Sequence, residues 1–154
     1  MKKFISFIVI SFFVLAANAQ FNARLNPVTW NFSVKKVSDK TYDVYLKANI
    51  ESGWHLFSQT QPDDAIGIPT DIIFNSNPLI NVVGKPKEIG KMEKYKDQKL
   101  GISANQYSES VEFVQRIKLK ANVNTNISGE VEYQTCDDKK CLPPKKIPFT
   151  IAVK

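Results

Sequence analysis

Tyr42-Asp-Val-Tyr-Leu-Lys-Ala-Asn-Ile50 decides how the rest of the chain reads. Tyr42, Val44, Leu46, Ala48 and Ile50 recur at every second position, with polar residues or a tyrosine between them. Side chains of an extended strand alternate between two faces, so this pattern predicts a half-buried β-strand. A helix would need apolar residues three and four apart. Outward from it, Ser38-Asp-Lys40 and Glu51-Ser-Gly53 have turn composition. Val28-Thr-Trp-Asn-Phe-Ser-Val34 alternates in the same way, and Trp54-His-Leu-Phe57 reads as a short aromatic strand.

Further along, Gln59 to Pro69 carries prolines and a glycine and reads as a loop. Thr70-Asp-Ile-Ile-Phe74 and Leu79-Ile-Asn-Val-Val83 are short apolar runs split by Asn75-Ser-Asn-Pro78. Lys85 to Ser110 is polar, contains Gly90 and Gly101, and is the least regular segment. A loop of that length is uncommon unless it has a function. Val111, Phe113, Ile117 and Leu119 then share one strand face, as do Ile127, Val131 and Tyr133. Ile147, Phe149, Ile151 and Val153 share a face of the last strand. Roughly eight strands with turn signals between them, and no amphipathic helix, predict an all-β, two-sheet antiparallel sandwich or barrel.

The N-terminus is not expected to join this fold. Lys2 and Lys3 precede the uncharged apolar run Phe4 to Ala16, and Ala17-Asn18-Ala19 is a small-x-small cleavage site. Residues 1–19 therefore read as a signal peptide, and residues 20–154 as one exported domain. The apolar run is shorter than the roughly 20 residues a spanning helix needs. Losing Lys2 and Lys3 lowers the net charge from +6 to +4. Lysines elsewhere alternate with apolar residues or with Glu88, Glu93 and Asp97, which is a solvated face rather than a nucleic-acid surface.

The only two cysteines lie in Tyr133-Gln-Thr-Cys-Asp-Asp-Lys-Lys-Cys-Leu-Pro-Pro144. Cys136 and Cys141 can close a disulfide if Asp137-Asp-Lys-Lys140 reverses the chain. A ring this small contributes about 2 kcal/mol in the chain-entropy picture, against about 4.7 for a loop of 100 residues. Spacing alone leaves a redox pair and a structural staple equally open. Metal binding is poorly supplied, because a closed zinc site wants four ligands and His55 is the only histidine. His55 stands between Trp54 and Leu56 and reads as a packed or rim histidine. Period two from Tyr133 puts Gln134 and Cys136 on the opposite face unless the strand bends first, so Cys136 is expected near the surface. Lys139 and Lys140 favour a thiolate there, whereas Asp137 and Asp138 oppose it. Neither Cys-x-x-Cys nor a nucleophile elbow, phosphate loop or dinucleotide fingerprint occurs. Asp63-Asp64, in a proline-flanked loop, read as solvated turn residues.

The Tyr133 to Pro144 stretch resembles the N-terminal periplasmic domain of DsbD, the thiol:disulfide interchange protein. That family's signature is Tyr-Gln-x-Cys, a short variable loop, then Cys-x-Pro-Pro and a final strand. The order of the Gly53-Trp-His-Leu-Phe57 strand, the irregular segment, the strand from Val111 and the cysteine hairpin is similar too. The resemblance implies an immunoglobulin-like β-sandwich in the periplasm, acting as a thiol–disulfide oxidoreductase component without a cofactor or metal. Cys136 and Cys141 would be the redox pair, with Cys141 forming the mixed disulfide and Cys136 resolving it. It also implies a cap loop, matched by Asp97-Gln98-Lys99-Leu100-Gly101, over the disulfide. Asp97 and Gly101 match the family pattern. Lys99 and Leu100 stand where a shielding aromatic is expected, which leaves that role to Leu100 or Tyr95, or leaves the capping weak. With no transmembrane or thioredoxin-like segment before Lys154, the electron donor is expected to be a separate membrane thiol reductase or thioredoxin-like protein, and the clients oxidised periplasmic thiol proteins. The alternative is a secreted immunoglobulin-like binding module with a small structural disulfide.

Overall fold

The computed structural model describes residues 25–153; the expected signal peptide, Met1 to Ala19, lies outside them. Nine strands form: β1 (Val28–Ser38), β2 (Thr41–Ile50), β3 (His55–Phe57), β4 (Asp71–Phe74), β5 (Ile80–Asp97), β6 (Ile102–Leu119), β7 (Thr125–Tyr133), β8 (Thr135–Cys136) and β9 (Lys145–Val153). They make an immunoglobulin-like sandwich of two antiparallel sheets, with no helix among the described residues. The smaller sheet has the order β4-β7-β9. The larger has the order β1-β2-β6-β3-β8, with β5 also paired to β6. β5 runs along one edge of β6 for most of its length. β2 and then β3 share the other edge, β2 opposite residues 110–118 and β3 opposite Gln106 and Tyr107.

The alternation in β2 is realised as expected: Tyr42, Val44, Leu46, Ala48 and Ile50 are all buried. Leu46 pairs with Phe32 on one side and Phe113 on the other, so strand neighbours stack apolar rows on the same face. Ile72, Ile127, Val131, Tyr133, Phe149 and Val153 of the smaller sheet join the same core. Trp30 links the two layers, with its ring 5.9 Å from Phe113 and 5.4 Å from Tyr133. Gly129 is required where β4 pairs β7: a Cβ there would collide with the Ile73 carbonyl and sit 2.7 Å from Phe149 Cζ. One position of the buried β6 row from Val111 to Leu119 is polar. Gln115, buried in the Phe113 row, donates from Nε2 to the carbonyls of Val83 and Arg116, both at 2.9 Å. These bonds spare the amide the cost of unpaired burial, at the place where the β5–β6 register shifts.

The segment expected to be irregular, residues 85–110, is instead regular hairpin. It supplies most of β5 and the first half of β6. Its apolar signal is weak because β5 is an edge strand paired only to β6, and most of its residues are exposed. Backbone bonds rather than a buried face hold it. Lys85, Lys87, Lys91, Lys94 and Lys96 lie along it, a charge pattern that discourages pairing with another chain. The hairpin breaks register between Gly90 and Met92, opposite Glu109 at φ 62°. That break falls where β6 passes from β3 to β2.

Candidate functional site: the cysteine hairpin

β7 delivers the chain to the site and Tyr133 anchors it there, buried beside Trp30. At Gln134 the chain leaves the smaller sheet. Thr135 and Cys136 then pair with Leu56 and His55 in the larger one. The Gln134 amide fastens this crossing: Nε2 donates to the Leu142 carbonyl at 3.1 Å, and Oε1 accepts from the Ile68 amide at 3.0 Å. Leu142 N in turn donates to the Thr135 carbonyl at 2.9 Å. The Tyr-Gln pair ahead of the first cysteine is thus a core anchor and a clamp.

The turn is built by its own first residue. Asp137 N donates to the Lys140 carbonyl at 2.9 Å. Asp137 Oδ1 accepts from the amides of Lys139 and Lys140 at 2.8 and 2.7 Å. The Lys139 amide first, then that of Lys140, holds the Asp137 carboxyl below the ordinary aspartate range. Cys141 returns beside Cys136 with Cα atoms 3.9 Å apart, and the two are joined by a disulfide.

Cys136 is not at the surface, as period two from Tyr133 suggested. It is 5 % exposed, whereas Cys141 is exposed. The alternation restarts when the chain changes sheets at Gln134, so Thr135 as well as Cys136 is buried. Leu56 belongs to the main core, while Phe57, Ala104 and Cys136 form a small separate cluster. Neighbouring residues of a strand face opposite ways, so the disulfide lies on the outer face of the larger sheet, at its end. The loop of residues 59–68 folds over that face. Gln61 Nε2 donates to the Asn105 carbonyl at 2.6 Å, and Asp64 Oδ1 accepts from the Ser103 hydroxyl. Asp64, read from sequence as a solvated turn residue, therefore ties the loop to β6. Gly67 lies against Phe57 so closely that a Cβ would collide with the ring. Upstream of the loop, Glu88 of β5 accepts from Ser58 Oγ, Gln59 N and Tyr107 Oη at 2.8, 2.6 and 2.6 Å. Burial, then the bond to Glu88, pushes the Tyr107 hydroxyl pKa up.

A cavity of about 470 Å³ opens over the disulfide, lined by both cysteines, the Asp137–Lys140 turn, His55, Phe57, Ile66, Tyr95, Leu100, Ile102 and Gln106. The segment Asp97 to Gly101 is the tip of the β5–β6 hairpin. Asp97 Oδ1 accepts from the amides of Lys99 and Leu100 at 2.8 and 3.1 Å, and Gly101 closes the turn at φ 65°. A side chain with a Cβ is strained at that φ, which accounts for the Asp and the Gly. Leu100 and Tyr95 both border the cavity. Gln98 and Lys99 do not, although both are exposed.

His55 joins the site without a signal in the sequence beyond being the only histidine. Its Nδ1 lies 3.0 Å from Ser108 Oγ, and that hydroxyl donates to Glu93 Oε2 at 3.1 Å. Its Nε2 lies 3.7 Å from Asp138 Oδ1. Among the described residues, no group of three or more His, Cys, Asp or Glu side chains is placed to hold a metal ion.

The family model for the thiol:disulfide interchange protein DsbD, N-terminal, matches residues 22–152. Among solved structures, the DsbD N-terminal domain of Neisseria meningitidis in the reduced form is similar at 18 % identity and TM-score 0.57, over 86 % of this chain and 92 % of that one. The N-terminal periplasmic domain of ScsB from Proteus mirabilis is similar at 15 % identity and TM-score 0.56, over 83 % of this chain and 47 % of that one. A third is from the complex between the DsbD N-terminal and PilB N-terminal domains of Neisseria meningitidis, at 18 % identity and TM-score 0.54, over 84 % of this chain and 88 % of that one. No curated protein matches the chain. At these identities the structural likeness shows the fold.

Proposed function

The chain belongs to the family of N-terminal domains of the thiol:disulfide interchange protein DsbD, and on that premise we propose that Cys136 and Cys141 relay electrons between envelope thiol proteins. The observation that carries this reading is the unequal burial of the two cysteines that line an open cavity. A donor thiolate reaches the exposed Cys141 Sγ. A new disulfide forms to Cys141, the Cys136–Cys141 bond breaks, and the electron pair leaves on Cys136. The donor's second thiolate then attacks the mixed disulfide and departs as an oxidised pair, leaving two cysteine thiols here. Reversing the sequence on an oxidised client returns Cys136–Cys141 to the disulfide. No cofactor is needed, because the sulfurs carry both electrons.

The turn's own hydrogen bonds support exchange over stapling. Asp137 already organises residues 137–140, and a ring this short adds only about 2 kcal/mol. The donor is a membrane thiol reductase or thioredoxin-like protein, and the clients are oxidised periplasmic thiol proteins. The complex of a related DsbD domain with a PilB domain supports a protein rather than a small-molecule partner. The test is a two-step transfer. Oxidised protein mixed with a reduced thioredoxin-like protein is expected to gain two titratable thiols per chain, and to lose them on addition of an oxidised client. A disulfide that stays oxidised in the first step sinks the relay.

The hairpin tip Asp97 to Gly101 acts as the cap in this reading, with Leu100 as its apolar shield. Leu100 is 70 % exposed yet borders the cavity, so it can move aside for a partner at little cost. Leu100→Ala is expected to speed reduction by a small thiol roughly three- to tenfold with no loss of stability, because exposed substitutions rarely shift it beyond about 0.5 kcal/mol. An unchanged rate removes Leu100 from the role and leaves Tyr95 as the next candidate.

A further inference from the structure

We propose that His55 is the proton donor and acceptor for the sulfur of the buried residue Cys136. This rests on the exchange reaction proposed above and extends it by one residue. His55 and Cys136 are directly opposed on antiparallel strands. Side chains so placed share a face, with Cβ atoms about 4.5–5.5 Å apart, and both border the cavity.

The need for such a group follows from burial. When a thiolate attacks Cys141, the sulfur that leaves is Cys136, which is 5 % exposed. An anion formed on so buried a residue has little contact with solvent, and burying an unpaired charge is costly. A proton moved from His55 Nε2 to Cys136 Sγ leaves a neutral thiol and a neutral imidazole. In the resolving step the thiol proton returns to Nε2 as Cys136 attacks, so the cycle balances without a further reactant.

The neighbours of the ring set its tautomer. The Ser108 hydroxyl has one hydrogen, which it gives to Glu93, so it accepts from His55. Nδ1 therefore carries the hydrogen of the neutral ring, and Nε2 is left to gain or lose the exchanged proton. The charged and titratable groups around it are Glu93 and Tyr95 from β5, and Asp137, Asp138, Lys139 and Lys140 from the cysteine turn. Asp138 Oδ1 is 3.7 Å from Nε2.

His55→Gln keeps a polar side chain beside Ser108 but cannot carry a proton through the cycle. The experiment compares the rates at which dithiothreitol reduces the disulfide in the wild type and in this variant between about pH 5 and 8, the range in which histidines ordinarily change charge. The ratio of the two rates cancels the titration of the reductant itself. It is expected to be roughly ten near the acid end, below the usual 10²–10⁴ of acid–base catalysis because a thiolate also leaves unassisted. It is expected to fall towards one as the pH rises and the imidazolium disappears. Ser108→Ala, which frees the tautomer, is expected to give a smaller deficit with the same pH dependence. A ratio near one throughout, or a deficit that does not vary with pH, overturns the role of His55 while leaving the relay standing. A wild-type disulfide that resists reduction at every pH overturns both.

Discussion

Replacing Cys136 with alanine is expected to leave the protein as a stable mixed disulfide with a thioredoxin-like partner that keeps one active-site cysteine, activated as its thionitrobenzoate disulfide. The remaining thiolate at Cys141 is exposed, attacks the partner sulfur and expels thionitrobenzoate, and neither active site then holds a second cysteine to break the new bond. Non-reducing electrophoresis and intact mass should show a one-to-one adduct that a reductant releases. Turnover should fall to background, a loss of several hundredfold or more, on the order expected when a residue acting in a chemical unit is removed. Cys141→Ala should abolish turnover equally, yet trap far less adduct, because the surviving Cys136 is a buried residue, 5 % exposed. Equal trapping by the two variants would contradict the assignment of the outer sulfur as the point of attack.

The second large effect is on the scaffold. Phe113 is fully buried at the centre of β6, opposite Leu46 and with its ring 5.9 Å from that of Trp30. Phe113→Ala removes that ring from between the sheets and is expected to cost about 3–5 kcal/mol, a large share of the 5–15 kcal/mol typical of a domain. The midpoint of thermal unfolding followed by circular dichroism should drop by roughly 10–20 °C. Trp30 packs on Tyr133 as well as Phe113, so loosening this position also loosens the root of the cysteine hairpin. A drop smaller than about 3 °C would mean that the core does not depend on this contact.

What the sequence revealed and what it hid both follow from where each strand sits. The rows Tyr42 to Ile50, Val111 to Leu119 and Ile127 to Tyr133 were legible because each is covered on one face by the opposing sheet, which imposes a period of two. The stretch from Lys85 was not, because β5 pairs with β6 alone and leaves both faces largely exposed. There the decisive interactions are backbone hydrogen bonds, which every residue can accept and any residue except proline can donate. The tip of the β5–β6 hairpin was singled out only through the family resemblance at Asp97 and Gly101; what builds it is a local device, an aspartate that binds the amides two and three residues on, followed by a positive-φ glycine. The burial of Cys136 was not legible, because its alternation counts from β8 rather than from β7. His55 was hidden for the same kind of reason. Only the register of β3 against β8 brings it to the disulfide, and no spacing along the chain encodes that pairing.

The roles proposed for the two unequally buried cysteines and for the histidine beside them all require Cys136–Cys141 to be a bond that opens in service. The most direct measurement is its reduction potential, obtained by equilibrating the protein with a graded dithiothreitol or thioredoxin couple and counting thiols at each step. The predicted value lies above about −300 mV, where exchange with thioredoxin-like proteins is reversible. A value well below about −300 mV would mark a structural bridge and contradict the relay.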